Sequence, residues 1–277
     1  MIWLWCGCGS FGGAKEPDPP TMVPGTPPAA EAPPPVAEPP PAPAPPTPDL
    51  ATHQRPPPKG WVDLRVALPN ARFDVRYHTP DNFTEAPLPG YGVPGAWLRQ
   101  EPTEALKRVQ AKLEAQGKSL LIYDAYRPLR GTLGMVAWAK RTDQVHLLDG
   151  GYIARRSGHN KGNTIDLSIV DAETGTEIDM GTPWDTLSEA SHTRNAKGEA
   201  YKNRMLLRET MHAEGFKNYW REWWHYSFPT EEKLPHRDVP YACFEPDEGA
   251  WKAPGGWDAA GYTMPASYDV TDCQPKK

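Results

Sequence analysis

The chain has 277 residues, a formal net charge of −5 and 38 % hydrophobic residues, which suits one medium-sized domain with unfolded chain attached rather than two full domains. A mildly acidic balance without a basic block argues against nucleic acid as a partner. The apolar start, MIWLWCGCGS, is far shorter than the roughly 20 residues needed to cross a bilayer.

Residues 1–15 are similar to the end of a bacterial lipoprotein signal, in which a small residue precedes the Cys that is lipidated. Cys8, which follows Gly7, is the first candidate for membrane attachment and Cys6 the second. On that reading the protein is a periplasmic lipoprotein of the cell envelope; if the segment is not a signal remnant, the expectation is the cytoplasm. Residues 16–58 carry more than half of the 34 prolines, with Ala, Glu and Thr between them. Such a stretch lacks the apolar side chains that would offset ordering entropy and reads as a disordered, polyproline-like linker. The folded domain is expected over 59–228, followed by a C-terminal extension, 229–277. That extension holds Cys243 and Cys273, which an oxidising compartment would let pair and which are otherwise unrelated thiols.

Within the folded part, GWVDLRVAL alternates as a strand, and FDVRY begins a second that runs into a Pro/Gly-rich loop. EPTEALKRVQAKLEAQG places Ala105, Leu106, Val109 and Leu113 on one helical face, with an acidic first turn and a stop at Gly117. SLLIYDAY reads as a buried strand ending at Arg127-Pro128, RGTLGMVAWAKR as a helix and NTIDLSIV as a further apolar strand. NRMLLRETMHAEGF reads as a helix ended by Gly215, and WWHYSF as a final aromatic strand. Strands and helices mix without regular βαβ alternation, so the expected class is α+β, a mostly antiparallel central sheet with flanking helices.

Polar groups gather at the strand ends. Asp166 interrupts the run Ile165, Leu167, Ile169, where a carboxylate is costly unless a cation or several donors satisfy it. SGHNKGNTID supplies His159 with Asp166, and REWWHYSF supplies Glu222 three residues before His225. Two imidazoles and a carboxylate make the three-ligand set of a catalytic zinc site, and the remaining carboxylate, Glu222, is left to serve as general base and acid. Arg127 is the candidate cation for a developing oxyanion. Each feature has a structural alternative: Asp166 could cap a turn, Arg127 could pair with Asp124 or Asp185, and EWWH could be an aromatic edge strand.

DAYRP, SGHNKGNTIDLSI, MGTPWD, NRMLLRETMHAEGF and EWWHY, in this order, resemble the zinc D-alanyl-D-alanine dipeptidases of the vancomycin-resistance type, in the D-Ala-D-Ala metallopeptidase and Hedgehog superfamily. VRYHTPDNF and the following GY are similar too, so the likeness runs from about Trp61 to Tyr226. It implies a Hedgehog/DD-peptidase-like fold, with His159, Asp166 and His225 binding one zinc per chain, Glu222 as general base and acid, and Arg127 stabilising the transition state. It further implies that Tyr77, Asp166 and Asp185 surround the free ammonium of a small D-amino-acid dipeptide, with Ser157 near its carboxylate. The chain departs from the family at Met135, where the family can show an aromatic wall, and at Gly158 and Asn163, where Ser is often seen. Two alternatives stand beside the dipeptidase. One is a D,D-carboxypeptidase or endopeptidase on peptidoglycan stem peptides, which a lipid-anchored spacer would suit. The other is a non-catalytic wall-binding module, against which Glu222 and Arg127 argue.

Overall fold

The computed structural model describes residues 54–243; the segment expected to be a signal remnant, most of the expected linker and Cys273 lie outside them. The first predicted strand is cut short: β1 covers Trp61–Asp63, and Leu64–Ala67 winds into a one-turn helix, α1. Asp63 causes the switch, because its Oδ1 accepts the Arg65 amide at 3.0 Å and caps the turn. The second is shorter still. Only Arg72–Phe73 form β2, after which Arg76–His78 coil into a 3-10 turn, closed by an Asp74–Arg76 ion pair at 2.7 Å, and Tyr77 is buried.

An unforeseen strand, β3 (Trp97–Arg99), pairs antiparallel with β1. The helix α2, Gln100–Glu114, buries Ala105, Leu106, Val109 and Leu113 as its spacing predicts. Then follow β4 (Lys118–Asp124), α3 (Leu129–Arg141), the unforeseen short helix α4 (Val145–Asp149) and β5 (Thr164–Asp171). The helix predicted from Asn203 begins earlier, as α5, Gly198–Ala213. The domain continues with β6 (Lys217–Asn218) and β7 (His225–Ser227).

The central sheet has the order β2-β4-β5-β7-β6. Its three pairs from β4 to β6 are antiparallel, and β2–β4 is parallel. The α+β class with a mostly antiparallel sheet therefore holds, with one parallel pair added. EWWH is not an edge strand: of that motif only His225 lies in β7, and β7 sits inside the sheet between β5 and β6. Trp223 and Trp224 precede it in the core, edge to face at 5.3 Å. After Phe228 the chain returns to the domain. Tyr241 is completely buried beside Trp97 and Tyr126, and Cys243 forms a disulfide whose partner lies outside the described residues.

Candidate active site

Strand register builds the site's floor. A register shift between Ile122 and Asp124 in β4 sets Asp124 directly opposite Asp166 of β5, and Asp166 in turn stands opposite His225 of β7. Three adjacent strands thus present Asp124, Asp166 and His225 in one row, an arrangement that a local irregularity in the ladder makes available. His159 arrives from a 3-10 turn, Gly158–Lys161, capped by Ser157 Oγ. The turn approaches β5 closely: a Cβ at residue 158 would stand 2.4 Å from Thr164 Oγ1. Gly158 is therefore matched to Thr164, which fills the space a serine side chain would need.

The four groups face one another at close range. Asp166 Oδ1 lies 3.2 Å from His159 Nε2 and 3.0 Å from His225 Nδ1, and the two ring nitrogens are 3.3 Å apart. His159 Nδ1 is 2.6 Å from the Ala125 carbonyl oxygen, which can only accept, so Nδ1 carries the proton and Nε2 offers its lone pair inward. Asp166 Oδ1 is buried and makes no hydrogen bond. Electron-rich atoms packed at 3.0–3.3 Å around a buried orphan oxygen are what a cation would satisfy, and the ligand atoms of His159, Asp166 and His225 all lie within 4.8 Å of one another. The set fits a metal ion.

Glu222 sits beside this set, its Oε2 3.4 Å from His225 Nδ1. Burial, reinforced by the Asp166 carboxylate, pushes it up to about 8. On the other side, Arg127 donates through Nε to Asp124 Oδ2 at 2.9 Å, with Nη2 also 2.9 Å from that oxygen and 3.7 Å from Asp166 Oδ2. Its Nη1 reaches Met135 Sδ at 3.1 Å, and its Cζ lies 5.1 Å from the centroid of the Tyr77 ring. Tyr77 donates to Asp185 Oδ2 at 2.7 Å. Asp185 takes a left-handed backbone, φ +58°, a strained choice for a residue with a Cβ and one frequent at functional positions. Burial raises its carboxyl well above the ordinary value, against the lowering effect of the Tyr77 hydrogen bond.

All eight residues singled out from the sequence, Tyr77, Arg127, Ser157, His159, Asp166, Asp185, Glu222 and His225, line one cavity of about 390 Å³. Of the structural alternatives, one holds in part: Arg127 does pair with Asp124, while still facing the cavity. Asp166 caps no turn; it lies within β5. Sequence reasoning gave no site role to Asp124, which takes Arg127 on one oxygen and the Tyr91 hydroxyl, at 2.6 Å, on the other. The signal was available, since Asp124 ends an apolar strand much as Asp166 interrupts one. Met135 was noted as a departure, but not as an acceptor for Arg127.

Residues 58–246 match the family of peptidases described as D-ala-D-ala dipeptidase. The chain belongs to this family. Among its relatives, the D-alanyl-D-alanine dipeptidase of Enterococcus faecalis is 35 % identical over 189 residues, 62 % of this chain and 93 % of that protein. The D-alanyl-D-alanine dipeptidase of Streptomyces coelicolor is 35 % identical over 183 residues, 61 % of this chain and 89 % of that protein. That of Escherichia coli is 31 % identical over 185 residues, 66 % and 92 %. The family is one of metallopeptidases, in keeping with the donor set built by β5, β7 and the His159 turn.

Proposed function

We propose that this protein is a zinc dipeptidase that hydrolyses D-Ala-D-Ala, the substrate in the names of its relatives. The observation that carries the reading is the convergence of His159 Nε2, Asp166 Oδ1 and His225 Nδ1 with a buried carboxylate, Glu222, beside them and outside the donor set. Mixed imidazole and carboxylate donors suit zinc, which when bound supplies Lewis acidity at a scissile carbonyl and makes a water the better nucleophile. Glu222 is the group that takes the proton from the attacking water and passes it to the departing amine. Arg127, held by Asp124 and Met135, stabilises negative charge developing on the carbonyl oxygen.

Tyr77, Asp166 and Asp185 receive the substrate's ammonium, and Ser157 lies toward its carboxylate. A buried Asp185 favours a free amine over a longer chain, because an acylated amine would leave that carboxyl without a cation. Zinc-loaded protein incubated with D-Ala-D-Ala and with a pentapeptide stem, products resolved by mass, tests the reading. Cleavage of the free dipeptide at least about tenfold faster supports it; equal or preferred cleavage of the stem replaces it with a carboxypeptidase. The sequence of residues 1–58 supports an anchor at Cys8 or Cys6 and a place in the cell envelope. A lipid mass on either Cys and partition into detergent are the expected results, and unmodified cytoplasmic protein removes the anchor.

A further inference from the structure

The segment after Phe228 has no part in the function proposed above, yet it grips the residues on both sides of Arg127. Val239 N donates to Tyr126 Oη at 2.7 Å, and Tyr241 Oη donates to the Tyr126 carbonyl at 2.5 Å. Beyond Arg127, Leu129 N donates to the Arg237 carbonyl at 3.0 Å and Arg130 N to Asp238 Oδ1 at 2.9 Å. These two amides open α3, whose N-cap position is Pro128 and offers no side-chain cap. First-turn amides need acceptors from elsewhere, and here the returning strap supplies them. Asp238 is 4 % exposed and pairs with Arg130, itself 2 % exposed, through Nε at 3.3 Å.

The same strap reaches the turn that carries His159. Arg237 N donates to the Asn160 carbonyl at 2.8 Å, while Asn160 Nδ2 donates to the Arg127 carbonyl at 2.8 Å and to Thr132 Oγ1 at 3.0 Å. The ring of Tyr241 rests where a side chain on residue 95 would stand, 1.8 Å from the place of a Cβ, so Gly95 leaves its seat open. One short segment therefore ties together the two loops that deliver Arg127 and His159 to the cavity.

We propose that the strap Arg237–Tyr241 is a positioning element for the reaction, with Asp238 and Tyr241 as positioning residues that act through Arg127. The proposal rests on the role given to Arg127 above. Misplacing a catalytic group by about 1 Å costs on the order of 100-fold, and loss of an interaction made in the transition state falls on kcat rather than KM. The test uses the full chain loaded with zinc and D-Ala-D-Ala as substrate. Asp238→Ala should lower kcat about 10- to 100-fold with KM changed less than about threefold. Asp238→Asn, whose amide oxygen still accepts the Arg130 N–H, should recover most of that loss. In an Arg127→Ala background, Asp238→Ala should cost less than about twofold more, since residues that act as a unit are not additive.

Tyr241→Phe removes only the hydroxyl and provides a milder variant if Asp238→Ala fails to fold; it should lower kcat about 3- to 10-fold, again with KM held. Amide hydrogen exchange at Leu129, Arg130 and Arg237, whose N–H groups make the bonds between strap and loops, should quicken in each variant while that of β5 is unchanged. Equal losses of kcat with and without Arg127, or unchanged kcat in folded Asp238→Ala or Tyr241→Phe protein, overturns the proposal. Should wild-type protein leave D-Ala-D-Ala intact, the dipeptidase reading fails, and unchanged exchange at the three amides would then overturn the strap's role separately.

Discussion

The antiparallel pair β4–β5 ends in two ways. At one end Lys118 faces Asp171, opposite charges across the ladder near solvent. At the other Asp124 faces Asp166, two carboxylates in the interior. Like charges directly opposite are unfavourable, so the buried end needs cations that the exposed end does not. The fates of the two β5 carboxylates follow. Asp171 Oδ1 is taken up locally by the Thr174 amide and hydroxyl and the Glu173 amide, at 2.8, 2.9 and 3.1 Å, which hold its pKa below the usual range. Asp166 Oδ1 instead faces two imidazole nitrogens at 3.2 and 3.0 Å and remains without a hydrogen bond. A carboxylate committed to backbone amides closes a turn, and one left open to lone pairs marks a site.

The sharpest way to break this contrast is to remove the proton carrier and keep the donors. Glu222→Ala should bind zinc yet lose turnover by about 100- to 10,000-fold, since the residue proposed as general base stands outside the donor set; measured kcat with metal content on the same sample decides it. A smaller effect concerns the substrate's amine. Acetylating D-Ala-D-Ala removes the cation that Asp185 is expected to meet and should cost about 2–4 kcal/mol, or roughly 30- to 1,000-fold in kcat/KM. Asp185→Asn should narrow that gap, and equal rates on both dipeptides would show the cavity to be open at this end.

The smallest effect belongs to the committed end. Asp171→Asn should leave kcat unchanged and lower Tm slightly at pH 7. Because the folded pKa lies below its ordinary 3.8, the carboxylate's contribution is present above that value and lost as pH falls through the folded one. The Tm difference between wild type and Asp171→Asn should therefore vanish in strong acid. A loss of activity in this variant would mean that the two ends of the ribbon are not independent.

Much of this was legible in the sequence. Helical spacing located α2, because four apolar residues on one face leave few other ways to bury them. Asp166 declared itself by its cost within an apolar strand. Illegible were features made by the backbone: the register shift that aligns Asp124 with Asp166, the Ala125 carbonyl that fixes the His159 tautomer, and the strap's hold on Tyr126, Leu129 and Arg130. Carbonyls are common to every residue and amide N–H groups to all but proline, so their use leaves no compositional trace. The early ends of β1 and β2 were missed for another reason. Asp63 and Asp74 each engage an arginine two residues on, and such local bonds compete with strand extension.

His159, Asp166 and His225 are proposed to hold one metal ion together while Glu222 stands apart. Metal content per chain, measured by mass spectrometry after exhaustive dialysis of wild type, His159→Ala, His225→Ala and Glu222→Ala purified in parallel, tests it most directly. About one zinc per chain is expected in wild type and Glu222→Ala and essentially none in the two histidine variants. Full zinc retention by both histidine variants, or its loss only with Glu222, would contradict it.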